Sequence, residues 1–557
     1  MRLQERLWNP YLLVFLSSSC IMIMEVVASR LIAPRVGVSI HTWTSVIGVV
    51  LAGISIGNYI GGRLADWRPT WGTLGSLLSL ASLSCLATLW LNNDLHEFTL
   101  SGEVPMMAWV LAYVAGVFFL PSVILGCISP IVVKRTLQRL TETGSVVGRI
   151  YASSVAGSIF GTFAAGFWLI SNLGTKNTVL VAATLLMTLG IWFLSIGSWS
   201  RALLRVAAAL TIFGGSVWML QSNGFLRPEC LMETHYYCIN VNTVERDGME
   251  VQEMLLDRLV HSYNNLEDPT HLVYDYTRTY VGLMGPLAER NPELSLFFVG
   301  GGGYTVPRYV EAIWPDMEIV VSEIDPGVTL VAQQYMGLDP NSDIRTFNAD
   351  ARNVLAWQTE PDSFDIIFGD AFSDYSIPYH LTTLEFTELV DRALRDDGFY
   401  FANVIDGGIH GHFLRAYVHT LREVFPHVIV IPSHEAWQNT VRSTFVIAAG
   451  HRPIDVSGLD AYPPLSSEAL DEYLAMEPAL VLTDDYVPVD NLMAPVAEDS
   501  FFTVELSPDM ISRIVPRIVV VGIAGGVLFL AVLALLVYRW YARRDRRVQA
   551  ESHAQGE

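Results

Sequence analysis

Seven apolar stretches of about 20 residues crowd the first 220 positions of the chain. They cover about 11–34, 40–61, 74–91, 108–129, 150–170, 178–196 and 203–220, and an eighth lies at about 518–538. Each matches the ~20 residues needed to cross a hydrocarbon core as a helix. The composition agrees: 51% hydrophobic residues and a mean hydropathy of +0.37 are too apolar for an ordinary soluble enzyme. The first stretch is no cleaved signal peptide, because it carries Glu25 and lacks a small-residue cleavage site. Small residues recur at helical spacing, as Gly53, Gly57 and Gly61 and as Ser153, Gly157, Gly161 and Ala165. They predict close helix packing. Glu25 and Arg30, near the end of the first stretch, read equally as an intramembrane functional pair, a structural ion pair or residues already at the interface.

Charge separates the chain into two parts. From Gln221 to Met510 there are 46 acids, 14 arginines and no lysine, a net of −32, whereas the remainder is net +10. An acidic domain therefore sits within a basic membrane part. It would repel nucleic acid and attract cations, although solubility explains such a balance equally well. Of the membrane part's 20 basic residues, 15 fall on one side of the predicted helices. The other five are Arg30, Arg35, Lys176, Arg513 and Arg517. The excess marks the cytoplasmic side. Both termini are thus predicted to be cytoplasmic and the acidic domain to lie outside the inner membrane. Cys230 and Cys238 are the only cysteines of that domain, so in an oxidising compartment they are a disulfide candidate.

Within the acidic domain, four short apolar runs each end in a glycine turn or an acid. Residues 296–299 lead into Gly300, Gly301, Gly302 and Gly303, and 317–321 into Glu323. Residues 344–347 precede Asp350, and 364–368 precede Asp370. Short apolar runs of this kind predict buried parallel strands. The acids then stand at strand carboxyl ends, where open α/β sheets bind ligands, and a carboxylate about 20 residues after the glycines suits a ribose. Further strands are predicted at 399–404, 428–432 and 443–449, giving a seven-stranded sheet. Upstream, 236–244 and 250–256 flank Arg246-Asp247-Gly248, a hairpin signal.

These motifs resemble the spermidine synthase (polyamine aminopropyltransferase) family, and the membrane stretches resemble its membrane-fused members. The family's GGGDGG stands here as Gly300-Gly301-Gly302-Gly303-Tyr304-Thr305. The similarity runs from about 236 to 492. It implies a multi-pass α-helical membrane domain (1–220), a small β-rich module (221–290), a Rossmann-like domain (291–510), and an eighth helix with a basic tail (511–557). It implies Asp370 as general base and Asp374 as holder of the amine. Glu323 would hold ribose, and Asp350, followed by Ala351, adenine. His261 stands where the family usually has Gln, and Tyr274 and Tyr276 lie near its substrate-contact region. Asp484 and Asp485 belong to a closing motif and fit a turn or cap role better than a pocket role.

One departure is chemical. The family's Asp, replaced here by Gly303, helps hold the aminopropyl ammonium. Restoring it with Gly303→Asp is therefore expected to favour the decarboxylated donor.

The expected activity is aminopropyl transfer from decarboxylated S-adenosylmethionine to a polyamine. No metal or tightly bound cofactor is expected. Expected contacts are a polyamine or other cation and membrane lipid, but not nucleic acid, and homo-oligomerisation stays open. Two rivals stand beside this reading: a methyltransferase-like enzyme using S-adenosylmethionine, and a non-catalytic membrane protein that binds or transports a cation. The predicted topology favours the last, because adenosyl donors are made in the cytoplasm.

Overall fold

The computed structural model describes residues 9–36, 40–95, 106–137, 140–196, 199–371, 377–440, 442–459 and 462–496. The eighth apolar stretch, the basic tail and Asp374 lie outside these residues.

Among the described residues, seven helices are long and apolar enough to cross a membrane: Pro10–Val36, Ile40–Trp67, Trp71–Asn93, Ala108–Thr136, Thr143–Leu173, Thr175–Leu194 and Ala202–Ser222. The glycine ladders explain how they pack. A Cβ on Gly57 would lie 2.2 Å from the Val123 carbonyl oxygen, and one on Gly61 would lie 2.6 Å from Cys127 Cα. Likewise Gly157 faces the Phe15 carbonyl at 2.1 Å and Gly161 the Ser19 carbonyl at 2.4 Å. Only glycine lets these backbones approach so closely. Ser19 Oγ adds a hydrogen bond to the Gly157 carbonyl at 2.9 Å.

The soluble part begins with a four-stranded antiparallel sheet, β1 (Met232–Glu233), β2 (Cys238–Arg246), β3 (Met249–Leu256) and β4 (Leu259–Asn264), paired in that order. Asp247 and Gly248, both with positive φ, make the predicted hairpin turn between β2 and β3. The segment before β2 also meets the helical bundle. Arg30 donates to the carbonyls of Tyr236 (2.8 Å) and Thr234 (3.3 Å). Glu229 pairs with Arg35 (3.3 Å) and Lys176 (2.9 Å). Cys230 and Cys238 are disulfide-bonded across this segment, with Cα atoms 5.2 Å apart. Arg30 thus holds the soluble part rather than Glu25.

The main sheet has seven strands: β5 (Ser295–Val299), β6 (Glu318–Ser322), β7 (Arg345–Phe347), β8 (Phe364–Gly369), β9 (Leu394–Asp406), β10 (His427–Pro432) and β11 (Ser443–Gly450). Their spatial order is β10-β11-β9-β8-β5-β6-β7, and only β11 runs antiparallel to its neighbours. Both faces are covered. Phe297 and Val299 of β5 join one core with Ile367 and Tyr400, while Leu296 and Phe298 join the other with Ile366 and Phe401. That is why these strands read as unbroken apolar runs. The chain leaves β5 toward β6 and β7, then returns to β8 on the other side. Strand order therefore reverses between β5 and β8, and a crevice opens there at the carboxyl ends. Strand β9 is longer than its apolar run suggests and carries Asn403 and Asp406 at its far end.

Candidate active site

At that crevice the structure has a cavity of about 220 Å³. Gly300, Gly301, Gly302, Glu323, Asp350, Ala351 and Asp370 line it, the β-module adds His261, and Tyr274 joins from just before the following helix. Gly300 must be glycine: its φ is +96°, and a Cβ would lie 2.5 Å from the Asp370 carbonyl oxygen.

Glu323 organises the glycine turn. One carboxylate oxygen accepts from the amides of Gly301 (2.9 Å) and Gly302 (3.2 Å), and the other from the amide of Asp325 (2.9 Å). Three of about four acceptor positions on the carboxylate are thus taken. Burial pushes its pKa up, and the three amides oppose that shift. Asp350 caps the helix Ala351–Trp357 through the Asn353 amide (3.1 Å) and meets His380 Nε2 at 2.7 Å. The His380 hydrogen bond is the main reason its pKa falls below the usual carboxylate value.

Asp370 behaves oppositely. Burial raises its pKa, while the Asn403 amide (2.9 Å) and the Tyr276 hydroxyl pull it back. A carboxylate held this way titrates higher than usual and is better matched to taking a proton. Tyr274 lines the cavity, but its hydroxyl donates to the Val260 carbonyl at 3.0 Å. His261 has a buried Nε2 without a partner. Burial first, and the charge of Arg442 second, lower its pKa to about 4, so the imidazole is neutral.

Gly303 stands apart from the other glycines and does not line the cavity. Its amide donates to Ser262 Oγ (2.7 Å), and its carbonyl accepts from Asn264 Nδ2 (2.6 Å). A Cβ there would sit 2.7 Å from Ser262 Cβ. The positive φ of this turn falls instead on Tyr304, at 57°, with its ring fully buried. Asp484 is likewise structural: it forms a forked pair with Arg352 (2.7 and 2.5 Å) and accepts from Thr383 Oγ1 (2.8 Å).

Sequence reasoning missed Asn403, His380 and Arg442. Asn403 left a signal, as a polar residue within the apolar run of β9. His380 and Arg442 left none, since each stands in a connecting segment.

A doubly wound sheet with three acids and a glycine turn around its switch point places the cavity where open α/β sheets bind ligands. No protein-family model matches the chain. The chain is similar to the polyamine aminopropyltransferase of Vibrio vulnificus (strain CMCP6), with 26% identity over 244 residues, 41% of this chain and 78% of the relative. It is also similar to a probable polyamine aminopropyl transferase of Bifidobacterium longum (strain NCC 2705), with 28% identity over 248 residues. That match covers 40% of this chain and about half, 53%, of the relative. Among solved structures, a probable spermidine synthase from Corynebacterium glutamicum aligns with a TM-score of 0.40 and 19% identity over 45% of this chain and 94% of its own. The curated relatives support a spermidine synthase-like family for this chain.

Proposed function

We propose that the soluble domain transfers an aminopropyl group from decarboxylated S-adenosylmethionine to an amine of a polyamine. The names of the curated relatives support this reading. The observation that carries it is the convergence of Glu323, Asp350 and Asp370, from three parallel strand ends, on one cavity. Glu323 accepts from the ribose. With about one acceptor position free, holding both hydroxyls requires release of the longer Gly302 bond. Asp350 and Ala351 flank the adenine, with His380 beside Asp350.

Asp370 takes the proton of the attacking amine. The amine nitrogen then bonds to the methylene next to the sulfonium, the carbon–sulfur bond breaks, and its electron pair leaves with sulfur as methylthioadenosine. The cation disappears from sulfur, so the leaving group needs no acid. The role of Asp374 as amine holder follows the resemblance alone.

Intact S-adenosylmethionine carries the same adenosine and would meet the same contacts from Glu323 and Asp350, which is the methyl-transfer alternative. Calorimetry of the detergent-solubilised full chain with methylthioadenosine and both donors tests the reading. Failure of methylthioadenosine to bind refutes it, and turnover to methylthioadenosine plus an elongated amine distinguishes aminopropyl from methyl transfer.

The same proposal includes topology and domain limits: helices over 1–220, the β-module over 221–290, the Rossmann-like domain over 291–510 and a last helix with its tail over 511–557. The soluble domain faces outside and both termini face the cytoplasm. Three of the five basic residues assigned to the outer side, Arg30, Arg35 and Lys176, contact the soluble domain, which supports the assignment. Reporter enzymes fused after Asn223 and after Arg543 are expected to give opposite results. A reporter active in the cytoplasm at Asn223 overturns the assignment.

A further inference from the structure

One corner of the cavity contains polar groups that no described residue answers. Arg442, just before β11, lines the cavity and is exposed, and no described residue forms an ion pair or hydrogen bond with its guanidinium. It shares the lining of that cavity with His261 and Tyr274. His261 Nε2 and Asn403 Oδ1 are buried without partners among the described residues. The acids of the site are otherwise engaged: Asp350 with His380, Glu323 with the glycine turn, Asp370 with Asn403.

A guanidinium is a poor neighbour for a polycation. Its planar fork suits a carboxylate, which it binds through two parallel hydrogen bonds. A neutral imidazole with its proton on Nε2 supplies a further donor. We propose that Arg442, with His261 Nε2, forms a carboxylate subsite, so that the amine acceptor is a polyamine or diamine that carries a carboxylate.

This rests on the aminopropyl-transfer reading and narrows its acceptor. The carboxylate belongs to the acceptor because Arg442, His261 and Tyr274 line the same cavity as Asp370, and the Tyr274 ring lies 5.6 Å from that of Tyr276, whose hydroxyl bonds Asp370. The adenosine groups Asp350 and Ala351 start the helix after β7, on the other flank of β5. The bonds made and broken are those given above, and the carboxylate takes no part in them. A buried His Nε2 without a partner is costly to a fold unless a ligand answers it.

The test is calorimetry of the full chain, as wild type and as Arg442→Gln. The amine probes are 1,4-diaminobutane and ornithine, the same diamine bearing a carboxylate, each alone and with methylthioadenosine. The donor pair is S-adenosylmethionine and its decarboxylated form. Wild type is expected to bind ornithine about 10-fold or more tighter than 1,4-diaminobutane, the scale of a charge-assisted hydrogen bond. Arg442→Gln should abolish that preference, and Arg442→Lys should restore part of it. Equal or tighter binding of the plain diamine, or a preference that survives Arg442→Gln, overturns the subsite. A preference on the donor pair alone moves the carboxylate to the donor and overturns the acceptor assignment. If methylthioadenosine fails to bind, the aminopropyl reading falls, while the comparison of the two amines still decides the subsite.

Discussion

At the glycine-turn end of the cavity, each acid already has partners within the protein. Glu323 holds three backbone amides, and Asp350 holds the Asn353 amide and His380. At the opposite end, among the described residues, His261 Nε2 and Asn403 Oδ1 have none, and Arg442 has no acid. The first end is organised before any ligand arrives. The second keeps open groups that a ligand must satisfy. An unmet buried polar group costs about 1–3 kcal/mol, so its retention where a substrate would lie points to specificity rather than stability.

Four substitutions probe this contrast, from the largest effect to the smallest. Asp370→Asn keeps the Asn403 contact but removes the base. Turnover is expected to fall by about 100- to 10,000-fold, with methylthioadenosine affinity unchanged by calorimetry. Wild-type turnover in this variant would remove Asp370 from the role.

Glu323→Gln should act on the opposite end. It replaces charge-assisted bonds to the glycine turn, so methylthioadenosine should bind about 10- to 100-fold more weakly. If affinity holds, the organised end is not organised by this carboxylate.

Gly303→Asp asks whether the two ends can be joined by restoring the family's acid. The sequence alone predicts tighter binding of the decarboxylated donor. The structure predicts a clash instead, since the new Cβ meets Ser262 Cβ at 2.7 Å. Stability should drop by about 1–3 kcal/mol, as for overpacking, seen as a lower Tm with no gain in donor selectivity. A stable variant with selective tightening would mean that Ser262 gives way and that position 303 reaches the substrate.

Tyr276→Phe gives the smallest change. The Tyr276 hydroxyl lowers the Asp370 pKa, which burial has raised. Removing it should raise that pKa further. The base works when ionised, so the acid limb of the pH profile of kcat/KM should move to higher pH, by roughly one unit or less. A shift to lower pH would reverse the assigned interaction.

The fold was largely legible because its signals are local. Apolar runs of bilayer length, strands buried on both faces and a glycine turn each declare themselves within a few residues. Asp350 and Asp370 could be located for the same reason: an acid after a buried strand must lie at its carboxyl end. Edges were less legible. Strand β9 extends from Leu394 to Asp406 through polar positions at both ends that its central apolar run does not announce.

The opposite end of the cavity is a different matter. His261 comes from β4, Tyr274 from just before the next helix, Asn403 from β9 and Arg442 from the segment before β11. No spacing in the chain links them. They meet because the β-module closes over the carboxyl ends of the main sheet, a packing event between segments up to 181 residues apart (442 minus 261). The exclusion of Gly303 has the same origin, since Ser262 and Asn264 occupy the space that a side chain there would need. The sequence by itself therefore determined the elements and the acids around the glycine turn, through short-range hydrophobic pattern and turn chemistry. Tertiary packing alone decided which polar groups face the opposite end of the cavity, because that depends on how the two sheets close on each other.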